Sequence, residues 1–326
     1  MSEALPAPRK ILAVVDADDD EQIALRSAMA LAEAHGASLQ LVACVEPPQD
    51  LSILARLSSE DPDRLLAEAA AHQRAQIIAT LNDIMPGQPA DLTMLVGKAF
   101  FEIIQQVAQS GCDFVVKKAE PLSGMDRFLF ASTDQHLLRK CPCPVWLQTE
   151  NAPSRPKRIL AAVDLDIRDA AEPETLAALN RRVVEAACML ADGPDAEVTI
   201  LHAWEALGEG MLWAFTVDGD ARATADNYVQ EILNARQADM DAFRAELGKG
   251  DAKRPKLMTR LDRGAPQMVI HEQCRALGAD VIVMGTVART GLSGVFIGNT
   301  AENIINSLDC PVLAVKPDGF VSPLLA

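Results

Sequence analysis

The chain has 326 residues, enough for two ordinary domains that each bury a core. Hydrophobic residues make up 49% of it but aromatics only 4%, so alanine, leucine and valine must do most of the packing, which suits α/β layers better than an all-β sandwich. A formal charge of −16 argues against a nucleic-acid partner and against an anionic membrane surface, because phosphates are held by clusters of lysine and arginine and none stands out here. No charged-then-apolar leader and no run of membrane-spanning length is present, so a cytoplasmic location is expected. Cys44, Cys112, Cys141, Cys143, Cys188, Cys274 and Cys310 are odd in number and lie mostly in apolar runs, the pattern of reduced, buried thiols. Only Cys141 and Cys143, in "RKCPCPVW", come close together, and neither a second pair nor a nearby histidine completes a four-ligand metal site.

The first element is "RKILAVVDADDD", a short continuous apolar run, as a strand buried on both faces should be, ending on Asp16. Leu25, Ala28, Met29 and Ala32 then recur at helical spacing, and Gly36 is placed to end that helix. "SLQLVACV" is a second strand, and the crossover after it closes in an amphipathic helix. "LTMLVG" reaches Gly97, "DFVVK" follows a further helix, and "VWLQ" closes the first set. The proline-rich "TENAPSRPK" reads as a linker at 149–157, between domains at 1–148 and 158–326.

The order then repeats. "KRILAAVDLDIRD" ends on Asp164; Leu179, Val183, Ala186 and Leu190 mark a helix that Gly193 is placed to end; "EVTILHAW", "KLMTRLDRG", "DVIVMG" and "VLAVK" supply the strands. Asp113 and Asp280, Cys143 and Cys310, and Gly97 and Gly264 are each separated by 167 positions, whereas the domain starts are separated by 148, so 19 extra residues lie between the second copy's first strand and Gly264. Alternating βα units of this kind predict two tandem open parallel five-stranded sheets, with helices on both faces and right-handed crossovers. Ligands of such sheets sit beyond the carboxyl ends of the strands, where Asp16, Asp164, Gly97, Gly264 and the loop from Gly285 all fall.

That loop reads "GTVARTGLSGVFIGNTAE". Asn299 with Glu302 has capping-box spacing, which sets a helix N-terminus beside Gly298, and free N–H groups there favour an anion without any lysine. Neither G-x-x-x-x-G-K-[ST] nor G-x-G-x-x-G applies. Taken together, "ILAAVD", "ADVIVMGT", "GLSGVFIGNTAE" and "CPVLAVK" resemble the universal stress protein family, and the resemblance covers nearly the whole chain as two tandem domains. It implies an adenine nucleotide alpha hydrolase-like, Rossmann-like fold and a stress-response module that binds ATP, with magnesium, in its second domain. Nucleotide-binding members have a glycine, two residues, a glycine, nine residues, then glycine followed by serine or threonine. Here that pattern begins at Gly285, meets Ala288 at the second glycine, and resumes at Gly298, with Asn299 in the serine or threonine place and Thr300 after it. The resemblance sets Asp164 against ribose or adenine, Ala162 and Ala203 at the base pocket with Val163 beside them, and Met284 against the adenine. The other reading of Asp164 is a cap on the turn that follows its strand.

The first copy departs from this pattern: Lys118 stands in the place of Gly285, Arg127 in that of Gly294, and Ala131 in that of Gly298, while Ser132 and Gln135 keep capping-box spacing. It reads as a structural or other-ligand domain, the alternative being that Lys118 and Arg127 draw an anion. The apolar clump at 211–215 is a lid or, by preference, a contact between domains. Asp16, Asp18, Asp19, Asp20 and Glu21 lack the spacing of a calcium loop and fit a helix start better. The five histidines are isolated and no hydrolase motif is present, so no catalytic residue is assigned and any ATPase activity is expected to be slow. Among them His202, ending a strand near the predicted site, is either a site residue or, by preference, a core histidine satisfied by backbone. A nucleotide-independent, chaperone-like protein holding an apolar or mixed small-molecule ligand between its two domains is the alternative function. The domains are expected to pair as a built-in pseudo-dimer, with a further homodimer left open.

Overall fold

In the computed structural model, the described residues are 5–19, 21–87, 91–120, 133–193, 195–211, 221–248, 255–286 and 310–325. The first half runs β1 (Lys10–Val14), α1 (Ile23–His35), β2 (Ser38–Val45), α2 (Leu51–Ser58), α3 (Pro62–Ile84), β3 (Leu92–Val96), α4 (Ala99–Ser110), β4 (Phe114–Lys118), α5 (Thr133–Lys140) and β5 (Val145–Gln148). The second runs β6 (Arg158–Ala162), α6 (Pro173–Leu190), β7 (Glu197–Trp204), α7 (Ala221–Glu246), β8 (Lys256–Arg263), α8 (Pro266–Leu277), β9 (Val281–Gly285) and β10 (Val312–Val315).

Each half is a parallel sheet in which the first strand lies between the second and the fourth, as β3-β2-β1-β4-β5 and as β8-β7-β6-β9-β10. The two halves are not separate layers. β5 and β10 pair antiparallel, with Leu147 opposite Val312, Trp146 opposite Leu313 and Val145 opposite Ala314, and so join all ten strands into one sheet. β5 and β10 are buried on both faces, which is why they read as unbroken apolar runs rather than alternating ones. The core is accordingly two sheets of packing that each cross the junction. One gathers Leu25, Ile77, Trp146, Val183 and Leu190 under α1, α3, α6 and α7, and the other gathers Ile103, Leu137, Leu160 and Ile270 under α4, α5 and α8.

Matching positions locate the extra residues of the second copy. Lys10 corresponds to Arg158, Ser38 to Glu197 and Leu92 to Thr259, so the offset grows from 148 to 159 to 167: part of the insertion lies before β7 and part in the crossover before β8. The first part lengthens the helix, α6 having 18 residues where α1 has 13. Both copies use one clasp at the start of the sheet: Asp113 accepts the N–H groups of Arg9 and Lys10, and Asp280 those of Lys157 and Arg158. Gly36 ends α1 in the left-handed conformation, as its position predicts. The end of α6 differs from expectation. It stops at Leu190 on an extended Ala191, and Gly193, at φ 83°, turns the chain that follows.

Candidate functional site

The reversal of strand order between β6 and β9 opens the edge of the sheet at their carboxyl ends. Ala162 pairs with Leu201 of β7 on one side and Met284 of β9 on the other, and Val163 carries the same strand one step further by donating its N–H to Leu201 O at 2.9 Å. Ala203 and Met284 are buried and Ala162, Asp164 and Gly285 half-buried, so six of the residues named from sequence gather around one strand end. Ala288, Gly298, Asn299 and Thr300 lie outside the described residues, as do Arg127 and Ala131 of the first copy.

Asp164 is fixed by its neighbours. Its N–H donates to Asn180 Oδ1 at 3.0 Å, its carbonyl accepts Asn180 Nδ2 at 2.6 Å, and its carboxylate accepts Asp166 N–H at 3.1 Å. The capping role foreseen for it is therefore present, and it aims the turn without withdrawing the side chain from solvent. Asp16 does the same in the first copy, accepting Asp18 N–H at 3.2 Å. Gly285 has a packing reason of its own: a Cβ there would come within 2.6 Å of Leu179 on the lengthened α6. The glycine permits a close helix–strand approach, a role the loop pattern alone did not reveal.

His202 enters from β7, 1% exposed, and accepts the N–H of Leu165 on Nδ1 at 3.3 Å. The satisfied core histidine foreseen from sequence is thus what that nitrogen shows. Burial lowers the ring's affinity for a proton; the carboxylates of Asp166 and Asp164 and the carbonyl of Val163 oppose this, and Arg236 adds to it. Asp166 is 2.5 Å from Arg236 of α7, whose guanidinium also reaches Asp239 at 3.3 Å. Sequence reasoning missed Asn180, Asp166 and Arg236. Nothing local could have found Asn180 and Arg236, which meet the turn only through tertiary contact, whereas Asp166 lies in the turn itself, two residues after Asp164.

The matching end of the first half is differently filled. Lys118, in the place of Gly285, reaches Asp19 at 3.3 Å and Glu150 at 3.6 Å, and Asp19 is 5% exposed and also accepts the N–H of Ile23. Lys117 pairs with Asp134 at 2.8 Å and with Glu120 at 3.6 Å; burial opposes its charge, but the two carboxylates together raise its pKa. A lysine already held by two carboxylates is poorly placed to draw an anion, which disfavours the alternative weighed for this copy and gives Asp19 of the acidic run after β1 a partner. Cys141 and Cys143 bring their sulfurs to 3.6 Å in full burial. Of the clump at 211–215 only Met211 is described, and it is 62% exposed; the rest lies outside the described residues. Among the described residues no helix is long and apolar enough to cross a membrane.

Comparison with known proteins agrees with this architecture. The family model described as the universal stress protein family matches twice, at residues 8–147 and 156–316. Universal stress protein E of Escherichia coli K12 is 30% identical over 321 residues, 97% of this chain and 96% of its own, and the Haemophilus influenzae homolog of that protein is 27% identical over 318, covering 95% and 97%. Among solved structures, a functionally unknown protein from Pseudomonas aeruginosa PAO1 superposes with a TM-score of 0.62 at 26% identity over 96% of this chain and 94% of its own. A universal stress protein from Archaeoglobus fulgidus shares the fold, with a TM-score of 0.54 at 18% identity, over 96% and 98%. With both halves matched, and with a relative of this length aligned from end to end, the chain belongs to the universal stress protein family as a tandem, two-domain member.

Proposed function

We propose that the chain is a stress-response regulatory module that binds an adenine nucleotide, ATP with magnesium, in its second half, residues 158–326. The first half, 1–148, serves as its structural partner in a pseudo-dimer. One observation carries the reading: the strand end that bears Asp164, Ala162, Ala203 and Met284 has glycine at 285, whereas its counterpart has a lysine tied to two carboxylates. Asp164 supplies an acceptor for a ribose hydroxyl or an adenine amine, and the small Ala162 and Ala203 leave room for a flat base. The sequence spacing from Gly285 to Gly298 supports the reading, as does the capping-box spacing of Asn299 with Glu302. Without a general base among these residues, any hydrolysis is slow.

Calorimetry with ATP and magnesium on the full chain tests it. ATP affinity is expected to vanish in Gly298→Trp and to be unchanged in Lys118→Ala. Equal loss in both, or none in the native chain, removes the reading. Mass spectrometry of small molecules released from the purified protein is the companion measurement. A bound apolar compound with no adenine nucleotide would favour the nucleotide-independent alternative, for which the exposed Leu207 and Met211 after β7 are the available apolar surface.

A further inference from the structure

Just after Asp164 the turn is held from beneath, at Leu165, by a ring nitrogen that faces two competing partners. His202 Nδ1 lies 3.3 Å from the N–H of Leu165 and 3.3 Å from the carbonyl of Val163. With a lone pair on Nδ1 the ring accepts from Leu165; with a proton on Nδ1 it can only donate, to Val163. The other nitrogen, Nε2, is buried without a hydrogen-bond partner among the described residues and stands 3.8 Å from Asp166 Oδ1. That same oxygen is the one Arg236 holds from α7.

We propose that His202 is a positioning residue for the site, a proton-operated latch whose neutral form fixes the 163–166 turn and whose protonated form releases it. In the neutral ring the proton sits on Nε2, Leu165 N–H is held, and Asp166 remains with Arg236. Proton uptake at Nδ1 exchanges the Leu165 bond for one to Val163 O, and the new imidazolium competes with Arg236 for Asp166. The groups facing the ring are Asp164 and Asp166 from the turn, the Val163 carbonyl from the end of β6, and Arg236 from α7. Both carboxylates favour the proton, while burial and Arg236 oppose it, so the latch stays shut at neutral pH and opens on acidification. Asp164 is then aimed by the Asn180 clamp and its own bond to Asp166 N–H without the support of Leu165, and ligand affinity falls.

The latch rests on the nucleotide reading only for the identity of its ligand, and the test separates the two. In the full chain without ligand, amide hydrogen exchange of Leu165 is followed by NMR between pH 5 and 8 beside the titration of the His202 ring. Protection of that amide, corrected for intrinsic exchange, is expected to fall about tenfold as the ring takes up its proton. In His202→Asn, whose side-chain oxygen can replace Nδ1 as acceptor but cannot titrate, protection is expected to persist across the range. Asp166→Asn, which removes the carboxylate that draws the imidazolium, is expected to move the ring's titration to lower pH. ATP affinity of the native chain is expected to weaken about tenfold from pH 7.5 to 5.5, and that of His202→Asn to stay level. Leu165 protection indifferent to the ring's titration, or a pH dependence that survives in His202→Asn, overturns the latch. A responsive Leu165 in a chain that binds no ATP at any pH upholds the latch and removes the nucleotide reading instead.

Discussion

Gly285 illustrates how packing can require a residue that a loop pattern also requires. The space its side chain would take is filled by Leu179, to which a Cβ would come within 2.6 Å. Replacing it by alanine forces Leu179 aside, and overpacking of this sort costs about 1–3 kcal/mol. Urea denaturation of Gly285→Ala should show that loss, and most of it should disappear when the substitution is made in a Leu179→Ala background. If the two changes add independently, the glycine is not there for packing. At this scale the sequence was legible in part. Asp164 declares its cap through position alone, because an aspartate after a first strand meets the N–H two residues on. Asn180 declares nothing, since its clamp on Asp164 exists only once α6 lies across the strand end.

Among the elements, the strands were the most legible, because a strand covered on both faces must be apolar throughout and βα alternation leaves few arrangements. The end of α6 was less so, a glycine three residues past the helix having drawn the boundary too far. The contact between β10 and α5 was not legible at all. Lys316, just past β10, is 4% exposed and sends its ammonium to the carbonyls of Leu138, and of Arg139 at 3.1 Å, at the end of α5 in the other half. Cations suit a helix C-terminus, yet burial prevails and pushes the Lys316 pKa down to about 8. Between that value and its ordinary 10.5, the unfolded chain keeps a proton that the folded chain has given up, so this group makes stability rise with pH across that window. The rise amounts to about 3 kcal/mol at most. Denaturation at pH 7 and pH 9.5 checks it: Lys316→Met should be more stable than the native chain at pH 7 and should lack the slope. A slope retained in that variant assigns it to another group.

For the molecule as a whole, repetition was visible as constant offsets between matched residues, and family motifs pointed to the fold of each half. That the halves share a sheet was not visible, because β5 and β10 are equally apolar whether they end a sheet or continue one. The junction is short, three paired positions, but Trp146 and Leu313 face each other there in full burial and both packing layers run through it. The chain should therefore unfold in a single transition by calorimetry. Leu313→Ala, which opens a cavity at the seam, should cost about 2–5 kcal/mol and lower that transition for both halves together. Two resolved transitions in the native chain would mean that the seam carries little of the stability. The antiparallel direction of that seam also sets a compass for the protein. With β1–β5 all running one way and β6–β10 the other, the Asp164 mouth and the Lys118 plug open toward opposite poles. A ligand at one pole therefore leaves the other uncovered.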